Sequence, residues 1–267
     1  MIADDFVYDG IQLSSKGYTI CSFESSSGVE VVDVGSNITF NRVKRDSGRI
    51  YSLVSSTYEE CVTATFDICK CDSRYNDMEI SATQFRELMR WLNRREFLPF
   101  RIIDKNETSC WYNASFNIDK LIIGGRVCGL RLTMETDRPF GFAEPRTHHL
   151  KFGNDGAEIF VTNFSGEIGY LYPKLEIECL ETGDLTITNK LEGCTTVIKN
   201  CTRGEVITLD GETQTITTTS TTHRVNDDFN WEFFRLGNTM TDKKNPIKAS
   251  APCDITLTYT PIVKDVP

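Results

Sequence analysis

Along this chain, apolar residues fall at every second position over short stretches, and the pattern returns from one end to the other. In VTATFDI, Val62, Ala64, Phe66 and Ile68 share one face while Thr63, Thr65 and Asp67 take the other, as in a half-buried strand. FRIID, CWYNASFNI and CGLRLTMET repeat it in the first half, and LEIECL, GDLTITN, TTVIKN, GEVITLDGETQTI, WEFFRL and CDITLTYTP in the second. A segment of period two buries one face only when it lies in a sheet, so the pattern excludes a helical bundle and predicts a mainly β protein.

One segment breaks the pattern. In SATQFRELMRWLNRRE, Ser81 suits an N-cap, Gln84 follows three residues later as in a capping box, and Phe85, Leu88, Met89 and Leu92 recur at helical spacing. A helix over 81–94 is expected, stopped before Pro99, whose ring cannot continue it. Trp91 falls beside the centre of the stripe, next to Arg90, which puts it at the margin of the core or against a partner. No second helix of any length is expected.

At 267 residues the chain exceeds the usual domain of about 100 to 150 residues. DRPFGFAEPRTHH carries two prolines, a glycine and polar residues between two sets of strands. The expected division is therefore a β-rich domain over 1–137, a linker over 138–150 and a second domain over 151–267. Short strands at regular spacing in the second half predict a sandwich. Asp210-Gly211 predicts a two-residue type I′ hairpin, and TITTTSTTH an exposed edge strand or a long hairpin loop.

Composition narrows the function. A net charge of -9 with no basic run longer than RVKR or NRRE argues against a nucleic-acid groove. With no basic start followed by an apolar core and no window near ~20 apolar residues, the expectation is synthesis in the cytosol without membrane insertion. Ten cysteines spread from Cys21 to Cys253 are then expected to be reduced and mostly buried. On one continuous strand Cys61 and Cys69 would lie ~26 Å apart, too far to share a zinc ion, and Cys69 with Cys71 would make an incomplete site. His148 and His149 are read as part of the solvated linker, and His223 as standing alone. The chain carries no Gly-x-Ser-x-Gly, His-Glu-x-x-His or Walker loop, so no catalytic residue, metal or cofactor is assigned. Trp231, in NWEFFRLGNTM, is either the stacking aromatic of a sugar site or a core residue on an inner strand. The core reading has the better support, because Phe233 would continue its face.

The order of these segments carries a resemblance. FVYDGIQLSSKGYTI, ISATQFRELMRWLN, LRLTMETDRPFGFAE, ITLDGETQTI, WEFFRLGNTM and CDITLTY together resemble the distal tail protein (Dit) family of siphophages and prophages of Gram-positive bacteria, over nearly the whole chain. The cysteine count departs from that family. The resemblance implies an N-terminal β-sandwich or barrel-like domain with one α-helix and a C-terminal galectin-like β-sandwich. It implies a non-enzymatic structural protein of the virion tail tip, made in the bacterial host cytoplasm. Such a protein forms a hexameric ring through its first domain at the distal end of the tail tube. Its partners would be further copies of itself, the major tail tube protein, a tail-associated tip protein, and receptor-binding proteins or a host cell-surface glycan. Trp231 and Trp91 are the residues proposed for a ligand or docking surface. The alternative is a carbohydrate-binding β-sandwich module, which Trp231 and the galectin-like resemblance favour.

Overall fold

The computed structural model describes residues 3–23, 38–44, 51–58, 61–71, 78–104 and 110–264. The chain divides into two units, residues 1–143 with 263–267, and residues 144–262.

The first unit contains β1 (Ala3–Tyr8), β2 (Ile11–Gln12), β3 (Tyr18–Cys21), β4 (Ile38–Lys44), β5 (Tyr51–Tyr58), β6 (Thr63–Lys70), α1 (Ala82–Leu92), β7 (Leu98–Asp104), β8 (Tyr112–Ile123), β9 (Arg126–Thr136) and β10 (Gly141–Phe142). Seven of these strands form one antiparallel sheet in the order β2-β1-β7-β8-β9-β6-β3. Its longest hairpin, β8–β9, closes with Ile123 opposite Arg126. Gly124 and Gly125 have φ of 58° and 83°, the left-handed pair that a type I′ turn requires.

Phe6 on β1 meets Phe66 on β6 edge to face at 5.7 Å, although the two strands stand four places apart in the sheet order. The sheet therefore curls around its own core. Phe100 on β7 and Phe116 on β8 complete the aromatic centre, 5.3 Å apart. Asp67, on the opposite face of β6, is buried and pairs with Arg131 of β9 at 2.8 Å.

Helix α1 starts as its sequence dictates. Ser81 Oγ accepts from the Gln84 backbone N–H, and Gln84 Oε1 accepts from that of Ser81, at 3.3 and 3.0 Å. It ends at Leu92, well before Pro99, which lies inside β7. Its buried residues are Leu88, Trp91 and Leu92, so the core-facing stripe is rotated relative to the expected one, and Phe85 packs only at the periphery.

The second unit contains β11 (Arg146–Phe152), β12 (Ile159–Thr162), β13 (Gly169–Leu171), β14 (Lys174–Cys179), β15 (Gly183–Asn189), β16 (Cys194–Cys201), β17 (Val206–Asp210), β18 (Thr215–Thr218), a single-turn helix α2 (Val225–Asp228), β19 (Leu236–Asn238), β20 (Lys244–Ala249) and β21 (Cys253–Tyr259). Two sheets, β11-β21-β14-β17-β18 and β12-β20-β15-β16, face each other across one core. Alternation decides which side chains enter it: Leu175, Ile177 and Cys179 from β14 meet Cys253, Ile255, Leu257 and Tyr259 from β21.

Three expectations change here. The stretch read as linker holds the first five residues of β11, which pairs along its whole length with β21. WEFFRL is not a strand, since regular pairing begins only at Leu236. The β17–β18 hairpin closes with Asp210 opposite Thr215, a four-residue loop in which Asp210 Oδ1 accepts from the Glu212 and Thr213 backbone N–H groups. Positive φ falls on Gln214, at 53°. Gly211 serves close approach instead, because a Cβ there would lie 2.7 Å from Tyr172 Cβ. The Thr-rich strand β18 is an edge strand, as expected.

Candidate docking surfaces

Residues 229–233 run along the open edge of β16. Phe229 bridges to Ile198, Asn230 Oδ1 accepts from the Val197 N–H at 3.0 Å and its Nδ2 donates to Thr195 O at 2.9 Å, and Thr196 Oγ1 donates to Glu232 O at 2.8 Å. Phe229 and Phe233 are buried, while Trp231 between them has φ of +58° and is 56% exposed. The core placement favoured for Trp231 is therefore overturned: the left-handed residue breaks the alternation and turns the indole outward. Its ring leans on Phe229 and Phe233, at 5.6 and 6.4 Å between centroids. Such a conformation costs about 1–3 kcal/mol for a bulky residue and persists only when its surroundings enforce it.

The chain beyond Trp231 is held by buried amides. Asn189 Nδ2 donates to Arg235 O and to Asn245 Oδ1, both at 2.8 Å, and Asn245 Oδ1 also accepts from the Gly237 N–H at 2.7 Å. Arg235 pairs with Glu192 at 2.7 Å. Burial raises the Glu192 carboxyl above its ordinary value, and Arg235 only partly offsets this. Sequence reasoning missed Asn189 and Asn245. Their only signal is an Asn at an inward position of an alternating strand.

Trp91 is no docking residue. It is buried, its Nε1–H donates to Tyr8 O at 3.2 Å, and its ring stacks on Phe6 at 5.9 Å. A buried indole needs an acceptor for its N–H, and Tyr8 O supplies one.

Strands β4 and β5 form a ladder of their own, outside the seven-stranded sheet. Ile38, Phe40, Val43, Leu53 and Val54 on it are 45% to 64% exposed. Ile38 and Phe40 share a face by alternation, and Leu53 joins them opposite Arg42, whose guanidinium lies over the Phe40 ring. A two-stranded ribbon is marginal by itself, and an apolar face of this kind is where a partner gains area.

The three histidines stand elsewhere than expected. His148 and His149 lie in β11, where His148 stacks on Tyr259 and His149 Nδ1 is 3.1 Å from Thr256 Oγ1. The His223 side chain is buried, with Nδ1 2.6 Å from Glu205 Oε1 and Nε2 3.4 Å from Asp228 Oδ2. Thr202 and Thr218 also donate to Glu205. Of the cysteines, Cys69, Cys110, Cys179, Cys194, Cys201 and Cys253 are buried and Cys61 and Cys71 exposed. Among the described residues, no three His, Cys, Asp or Glu side chains converge as metal ligands would, and no helix is long and apolar enough to cross a membrane.

Both halves match known protein families. A phage tail protein N-terminal domain matches residues 1–138, and a phage tail C-terminal domain matches residues 140–259. Among solved structures, the chain is similar to the Dit protein of SPP1, described as a paradigm of the hub adsorption apparatus in Gram-positive infecting phages. The TM-score is 0.63 at 13% identity, covering 96% of this chain and 98% of that one, a likeness of fold. No curated protein matches the sequence. Matched in both its halves by these tail domains, the chain belongs to the phage tail protein family.

Proposed function

We propose that this protein is a structural hub of a phage tail. It forms a hexameric ring at the distal end of the tail tube and joins the tube to the tail-associated protein and the host-recognition apparatus. The observation that carries this reading is the pairing of two tail domain families, in order, on a fold similar to SPP1 Dit over nearly the full length of both chains. No catalytic role is assigned to any residue. The ribbon β4–β5 supplies the ring contact: its apolar face on one copy is covered by the first unit of the next. A head-to-tail contact of this kind closes a ring when its rotation divides the circle. Light scattering and negative-stain images of the purified protein test the reading. Hexamer-sized rings are expected, and a monomer that stays monomeric when mixed with tail tube and tip proteins would count against it.

The exposed Trp231 ring favours a second reading, in which the second unit stacks an indole against a sugar, as a carbohydrate-binding module does. A glycan array separates the two. Binding that Trp231→Ala abolishes, in a protein that never forms rings, supports the module.

A further inference from the structure

The second unit holds three buried thiols at one end of its core: Cys179 closing β14, Cys253 opening β21, and Cys201 at the end of β16. Cys179 and Cys253 are register partners on adjacent antiparallel strands, and both side chains point into the core. The Cys179 N–H donates to Glu205 O on the other side of β14, while the next residue, Leu180, donates to Pro252 O. Cys179 and Cys253 are therefore a non-hydrogen-bonded pair, whose Cα atoms lie about 4.5 Å apart. That separation falls at the short end of the ~4.4–6.8 Å range that a disulfide spans. Cys201 comes from the opposite sheet, and its thiol is hydrogen-bonded to that of Cys179, so it is the competing partner, while the cross-strand register favours Cys253.

We infer that Cys179 and Cys253 are an oxidation site, reduced when the chain is made and joined as a cross-strand disulfide under oxidising conditions. The inference rests on the hub reading only for its setting: a tail protein is made in a reducing cytosol and works outside the cell. The oxidant is a low-molecular-weight disulfide. The Cys179 thiolate attacks one of its sulfurs and releases one small thiolate. The Cys253 thiolate then attacks the Cys179 sulfur of the mixed disulfide and releases the second. The two cysteine protons end on the two small thiols, and the two electrons lost by the protein reduce the oxidant. Cys179 is the attacking group, because the hydrogen bond from Cys201 draws its thiol below the ordinary value, whereas burial pushes Cys253 up to about 12. Access comes from position, since both residues sit at the terminal pair of the ladder, where strands open most readily.

The test uses the full chain, reduced, desalted and incubated with oxidised glutathione, then alkylated, digested and analysed by mass spectrometry. A peptide pair linked through Cys179 and Cys253 is expected as the dominant protein disulfide. Glutathione adducts on the exposed Cys61 and Cys71 are scored separately. Cys201→Ala should leave the link in place, and Cys253→Ala should stop the reaction at a glutathione adduct on Cys179. A dominant Cys179–Cys201 link overturns the assignment. So does wild-type protein whose Cys179 and Cys253 stay fully alkylated after prolonged incubation, a readout that needs no variant to fold. Ring formation by the same sample reports separately on the hub reading.

Discussion

Trp91 shows how one side chain overrides a helical wheel. By spacing, Phe85 and Met89 belong to the buried stripe and Trp91 to its margin, yet the helix turns Trp91 inward, where Phe6 and the Tyr8 carbonyl receive it. Trp91→Ala should therefore destabilise the first unit by about 3–5 kcal/mol, as for other large-to-small core changes, and a denaturant melt reading less than 1 kcal/mol would place the indole outside the core. His223 gives a second case. Burial by itself would lower its pKa, but the Glu205 hydrogen bond and charge, with Cys201 and Asp228, outweigh it and hold it above the ordinary 6.5. Burial likewise would raise Glu205, and hydrogen bonds from Thr218, Thr202 and His223 outweigh it and hold it below 4.5. The His223 contribution is complete below its unfolded value and is lost as pH rises through its raised folded value. That of Glu205 is complete above its unfolded value and is lost as pH falls through its lowered one. The pair stabilises most between about pH 4.5 and 6.5. His223→Gln should cost about 3–5 kcal/mol in that window, with the deficit shrinking toward alkaline pH, and melts that show a constant deficit would refute the linkage.

At the scale of elements, α1 was legible because local chemistry decides it. The capping box needs no tertiary partner. Ser81→Ala should accordingly cost about 1 kcal/mol, detectable as a small drop in the melting temperature of the first unit, and no change would mean that packing alone holds the helix start. WEFFRL was misread for the opposite reason. Its residues suit a strand, but Asn189, Asn230 and Asn245 bind the backbone around it and hold an irregular segment with Trp231 at positive φ. The extra strand β11 was hidden by its composition, since Arg146, His148 and His149 read as a solvated linker until β21 supplies their partners.

At the scale of the molecule, the proposed assembly places its contact on the ribbon β4–β5. The double variant Phe40→Asp with Leu53→Asp puts two carboxylates on its exposed apolar face without touching either core. It should leave the thermal melt of each unit in place and reduce the protein to monomers in light scattering. Rings that persist would move the contact elsewhere on the first unit.

What the sequence determined by itself was the class of fold, two β-rich halves with one capped helix, because side-chain period and cap chemistry are local and survive in any context. The aromatic pattern and segment order carried the resemblance to tail proteins as well. Tertiary structure alone decided which way Trp91 and Trp231 face, that His223 meets Glu205, and that Cys179 stands opposite Cys253. Each depends on register between strands distant in the chain, and register is set by the summed burial of whole faces rather than by any residue's neighbours in sequence.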